Sequence, residues 1–150
     1  MVAWNYIDKG AATVAAMRDF HDMKALLRLT PDEIRELGCQ MAQRGVALMA
    51  DTPRHTDPQK GEEKLARGLD KMDALRERYR QARGYMDWFE PSWQALTDEE
   101  REILREFYMC GNLRSGAGAR LEVRLGYSHA QIDRLRARAL ERFSFLLFGR

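Results

Sequence analysis

Residues 120–143, RLEVRLGYSHAQIDRLRARALERF, hold two short helical patterns parted by a break. Leu121 and Leu125 stand four apart and predict a short helix from about Ala119 to Leu125. Gly126 and Tyr127 interrupt it, and Ser128 has the side chain that caps a following helix. In that last helix Ile132, Leu135, Ala139, Phe143 and Leu146 fall on one face at helical spacing. Two helices joined by a three- or four-residue turn containing Gly make a helix-turn-helix, in which the second helix projects its outer face. That outer face carries His129, Gln131, Arg134 and Arg138. Arg and Gln are the side chains able to make paired hydrogen bonds to guanine and adenine edges, so these four are the candidate base-edge contacts. Arg120, Arg124, Arg136 and Arg142 lie where they can reach phosphates instead. A solvated charged helix ending a bundle remains the plain alternative.

Upstream, Thr97-Asp98-Glu99-Glu100 forms a capping box ahead of the apolar face Ile103, Leu104, Phe107 and Tyr108. Residues 110–118, CGNLRSGAG, read as a connector; no GK[ST] follows to make a phosphate-cradling loop. The run Leu65, Leu69, Met72, Leu75, Tyr79, Ala82, Met86, Phe89 and Trp93 repeats every three or four residues along a long helix from Glu62 to about Phe89. Such a seam of roughly 40 Å must pack against other helices, within the chain or in a homodimer. Tyr85, Trp88, Phe89 and Trp93 read as a core or interdomain plug rather than a base-stacking platform. Glu90-Pro91-Ser92 is taken as the junction between a helical interaction segment, 1–92, and a DNA-binding domain, 93–150.

The N-terminal segment predicts a helix from about Ala11 to Leu29 with Val14, Met17, Phe20 or His21, and Leu27 near the helical period. Thr30-Pro31-Asp32-Glu33 then carries the marks of a new helix start: a capping residue, a proline suited to the first position, and acids that complement the positive helix end. The second helix places Ile34, Leu37, Met41 and Leu48 on one side up to about Ala50, and residues 51–61 read as a surface loop. With period-two runs of β-branched and aromatic residues missing, the expected class is all-α.

The whole chain, 150 residues with 25 basic and 23 acidic side chains, has a net charge of +2. Residues 1–95 are balanced, whereas 111–150 hold eight Arg against Glu122, Asp133 and Glu141, a net +5. An anionic partner is therefore expected late in the chain, and double-stranded DNA is the one the helix-turn-helix suits. No apolar run approaches the roughly 18 residues of a membrane span, and no basic-then-apolar leader opens the chain, so a cytoplasmic protein without a membrane partner is expected. Cys39 and Cys110 have no CxxC companion, which speaks against a zinc framework. His21, His55 and His129 are scattered, and neither HExxH nor GxSxG occurs; catalysis, a metal site and a cofactor are not expected.

LTDEEREILREFY (Leu96–Tyr108) followed by Arg120–Phe143 resembles region four of the sigma-70 family, over about 50 of the 150 residues. Its most specific marks are Leu125-Gly126-Tyr127-Ser128, Ile132 and Arg138-Ala139-Leu140. ERYRQARGYMDWFEPSWQAL (Glu77–Leu96) together with RALERFSFLLFG (Arg138–Gly149) resembles small phage and prophage proteins related to the ArpU- and RinA-like late-gene regulators. The resemblance implies a sequence-specific DNA-binding transcription regulator and not a sigma factor; the N-terminal helices are expected to oligomerise or to hold a transcription partner, RNA polymerase being one candidate. Two departures stand out: Glu122 where many such helices carry a small residue, and Asp133 as a negative charge near the DNA-facing surface. The alternatives are a helical protein-interaction adaptor, in which the long helix docks a partner, and a small-terminase-like packaging subunit. The late position of the helix-turn-helix speaks against the packaging subunit. The tail Phe145-Leu146-Leu147-Phe148 is expected to be buried against Trp88, Trp93 or a second chain.

Overall fold

The computed structural model describes residues 8–49, 58–111 and 115–149. Among them the protein is all-α, with no strand. Helix α1 spans Lys9–Met49, α2 Pro58–Gln94 and α3 Asp98–Leu104; α3 runs on into a π-helical turn, Arg105–Met109, and is followed by α4, Ala117–Leu125, and α5, His129–Phe148. Most of the loop expected at 51–61, the middle of the 110–118 connector and the side chain of Leu48 lie outside the described residues; residues 58–61 already belong to α2.

Both prolines read as boundaries are helical. Pro31 stands inside α1, so the break expected between Leu29 and Thr30 does not occur. An interior proline removes one backbone bond and costs about 3 kcal/mol. Around Pro31 the loss is partly offset from α2: the buried Thr30 hydroxyl, instead of capping a new helix, accepts from Arg78 Nη2 at 3.2 Å, and the same guanidinium meets Glu33 at 2.7 Å. These two polar contacts are worth about 1 kcal/mol each. Half-buried Leu27, Ile34 and Leu37 continue the apolar stripe across the proline. Pro91 likewise lies inside α2, so Glu90–Ser92 is not a linker. Pro91 and Asp87, whose carbonyl its missing N–H would have bonded, are both exposed, and water can take that bond. The turns on either side are fixed by Phe89 and Trp93, 0% and 6% exposed. Burying two such aromatic side chains contributes about 3–6 kcal/mol, enough to outweigh the proline.

The chain divides into two compact units, one of Met1–Asp22 with Tyr85–Arg150, the other of Met23–Gly84. In the first, Met17, Phe89, Trp93, Leu104, Ala139, Phe143 and neighbours form the main core. Phe89 stacks on Trp93 at 5.7 Å and meets Phe143 edge-on at 5.2 Å, so these aromatics are a core plug. The Tyr85 hydroxyl donates to the Ala16 carbonyl, and burial together with the charge of Asp19 pushes its pKa up. The C-terminal tail is only partly covered. Leu147 is buried, and its carbonyl accepts from Trp88 Nε1 at 3.2 Å, but Phe145 is 52% exposed because a helical tail turns one of its four apolar residues outward. In the second unit α1 and α2 form a hairpin with glycines at two of its contacts: a Cβ on Gly68 would stand 3.3 Å from Met41 Sδ, and Met72 Cε lies near Gly38. Along the long seam Met72, Ala82, Met86, Phe89 and Trp93 are buried within the chain, Leu75 and Tyr79 are half-buried, and Leu65 and Leu69 are 52% exposed.

Candidate nucleic-acid interface

A second core in the larger unit, built from Ile103, Leu121 and Ile132, sits beneath α4 and α5, with Phe107, Leu125, Tyr127 and Leu135 packed around it. It fixes the pair of helices against α3. Between them, Gly126 ends α4 with φ +72°, a left-handed conformation that costs other residues about 1–2 kcal/mol, and its N–H closes on the Glu122 carbonyl at 2.9 Å. Ser128 Oγ then accepts from the Gln131 N–H at 3.3 Å and starts α5. The Thr97 capping box forms in full, Thr97 N–H donating to Glu100 at 2.8 Å and Glu100 N–H to Thr97 Oγ1 at 3.2 Å. Tyr127 also hydrogen-bonds Glu99, which raises its pKa.

The four base-edge candidates divide. Gln131, Arg134 and Arg138 are exposed along α5, three and four residues apart, opposite buried Ile132, Ala139 and Phe143. Arg134 bends back only through Nε to the Ala130 carbonyl, 3.3 Å away. His129 is also exposed but is held at both nitrogens: Nδ1 lies 3.0 Å from Glu122 of α4 and Nε2 3.4 Å from Asp133 of α5. Glu122 therefore reaches outward to the imidazole rather than crowding the helix pair. Asp133, besides facing His129, lies 3.5 Å from Arg136.

The four phosphate candidates are all engaged inside the module. Arg120 Nε donates to Glu106 at 3.1 Å and its Nη1 to the Ser115 carbonyl at 3.0 Å. Arg124 Nη1 meets Glu102 at 2.9 Å and Glu106 at 3.2 Å, and these two hydrogen bonds raise its pKa further. Arg136 lies over the Phe107 ring, 4.6 Å from its centroid. Arg142 donates to both Glu100 oxygens at 3.1 Å and to the Ala95 carbonyl at 3.4 Å. Burial works against ionisation of Glu100, but the Thr97 N–H and the Arg142 guanidinium outweigh it and hold the carboxyl below its ordinary range. Glu102 and Glu106, and the pairing of the capping-box Glu100 with Arg142, are thus what sequence reasoning left out. Their signal was present: acids at helical spacing on the same helix as the capping box, with an Arg-rich segment following.

The net +5 of the C-terminal stretch is accordingly uneven, since Glu residues of α3 and the π-helical turn offset the arginines on one side. An open cleft of about 420 Å³ on that side, lined by Trp93, Arg101, Glu102, Arg105, Glu106 and Arg124, mixes both signs of charge. Among the described residues no group of three or more His, Cys, Asp or Glu side chains converges to hold a metal ion, and no helix is long and apolar enough to cross a membrane. No family model, curated protein or solved structure matches the chain.

Proposed function

We propose that this chain is a phage or prophage transcription regulator that reads promoter DNA in the cytoplasm with the exposed face of α5, the DNA-reading part lying within residues 93–150. One observation carries the reading: Gln131, Arg134 and Arg138 line the outer face of a helix that follows a three-residue, glycine-started turn and is anchored on its other face by Ile132, Ala139 and Phe143. A helix with its side chains is about 10–12 Å across and enters a major groove about 12 Å wide. The engaged arginines, Arg120, Arg124, Arg136 and Arg142, contribute to phosphates only where an anionic backbone competes with their carboxylates. The resemblance to sigma region four adds to this reading. The N-terminal helices would oligomerise or hold a transcription partner such as RNA polymerase.

Selection of bound sequences from a random duplex library at stated salt tests it directly and supplies the operator. On the selected site, Arg134→Ala is expected to lose about 1–3 kcal/mol of preference over random DNA. Arg124→Ala is expected to weaken binding to all sequences alike, and to lower the salt slope by at most about one. Recovery of no enriched sequence, or equal affinity of both variants and the unaltered protein for the enriched one, sinks the proposal.

A further inference from the structure

The seam along α2 is used unevenly, and the part left uncovered is self-complementary. From Met72 onward its core positions turn inward, yet Leu65 and Leu69 are each 52% exposed although α1 already packs beside them on Gly68 and Met72. At 100° per residue, Glu62, Leu65, Leu69, Asp73 and Arg76 lie within roughly 40° of one line along the helix. That stripe is about 21 Å long. Its two ends are opposite in sign and equidistant from its centre: Glu62 stands seven residues before Leu69 and Arg76 seven after. Both are exposed, and the nearest acid to Arg76 on its own helix, Asp73, is 3.9 Å away, at the edge of pairing distance.

We propose that the Glu62–Arg76 stripe of α2 is a docking surface for a second copy of this chain, packed antiparallel about a twofold axis at Leu69. In that arrangement Leu69 meets its own counterpart, Leu65 lies level with Asp73 of the second copy and beside its Leu69 and Met72, and Glu62 of each copy faces Arg76 of the other. A parallel pairing sets Glu62 against Glu62 and Arg76 against Arg76, so the charges select the antiparallel one. Two half-exposed leucines per copy make a small apolar centre, and the dimer is correspondingly weak and concentration-dependent. A second copy is then the partner of the N-terminal helices proposed above, and this self-association is independent of DNA binding and measured without DNA.

Sedimentation equilibrium of the full chain, from low micromolar to several hundred micromolar, is expected to show the mass rising from one copy toward two. Leu69→Asp should stay at one copy throughout; its helix content, followed by circular dichroism, should not change, since the position is half-exposed. Glu62→Arg should weaken dimerisation about tenfold or more, because each of two attractive pairs becomes repulsive. Glu62→Arg combined with Arg76→Glu should restore it. A single-copy mass at every concentration, a dimer that Leu69→Asp leaves unaltered, or a double variant no better than Glu62→Arg alone would each overturn the proposal.

Discussion

The two units of the chain bury their apolar residues to very different extents. Of the 17 buried apolar side chains among the described residues, only Met72 and Ala82 belong to Met23–Gly84; the other 15 belong to Met1–Asp22 with Tyr85–Arg150. A two-helix hairpin offers each helix one neighbour and can cover one stripe of each, whereas several helices around aromatic side chains enclose a core. Each unit therefore draws its order from a different source. In the larger unit it comes from close packing of Phe89, Trp93 and Phe143; in the hairpin it comes from glycine contacts, half-buried side chains such as Ile34, Leu37 and Leu75, and one Arg78 bridge, while the Leu65–Leu69 stripe still faces outward.

The largest expected break of this contrast is a pair of truncations. Phe143→Ala should lower unfolding free energy by about 3–5 kcal/mol, and Met72→Ala by about 2, since Met72 is flanked by half-exposed neighbours that can settle into the space. Urea denaturation measures both, and equal losses would erase the distinction. Next, the same substitution at two glycines should act with opposite sign. Gly126→Ala forces a side chain into φ +72° and should destabilise by about 1–2 kcal/mol. Gly84→Ala, in a helix interior with open space around the new methyl, should stabilise by about 0.5–1 kcal/mol. Thermal unfolding of the two variants decides it; a common sign breaks the reading.

The smallest effect concerns pH. Because the folded protein holds Glu100 below its ordinary range, its ionisation stabilises the fold above the unfolded carboxylate pKa. That contribution is lost as pH falls through the lower, folded value. Glu100→Gln should therefore be less stable than the unaltered protein at neutral pH and converge with it under acid conditions. A constant gap across the acid limb would show that the Arg142 contact does not depend on the charge of Glu100.

Local signals were legible wherever a side chain acts on its own backbone. The Thr97 box, the Ser128 cap and the break at Gly126 need no distant partner, and each forms where the sequence puts it. Pro31 and Pro91 misled because their local preference, to start or end a helix, is overridden by groups distant in the chain: Arg78 on Thr30, beside the half-buried stripe of Leu27, Ile34 and Leu37, in one case, and the packing of Phe89 and Trp93 against Phe143 in the other. At the candidate interface, spacing alone gave Arg134 and Arg138 their outward direction. It could not show that Arg120, Arg124 and Arg142, set apart as phosphate contacts, are already held by carboxylates 14 to 42 residues upstream.

By itself the sequence determined the helical class, the helix ends marked by caps, and which face of α5 is apolar, since helical period and capping chemistry act over three or four residues. Tertiary structure alone decided that α1 and α2 continue through their prolines, which arginines are tied to Glu100, Glu102 and Glu106, and where the α2 seam stops being covered. Those outcomes depend on energies of one to a few kcal/mol between residues distant in the chain, and periodicity carries no information about them.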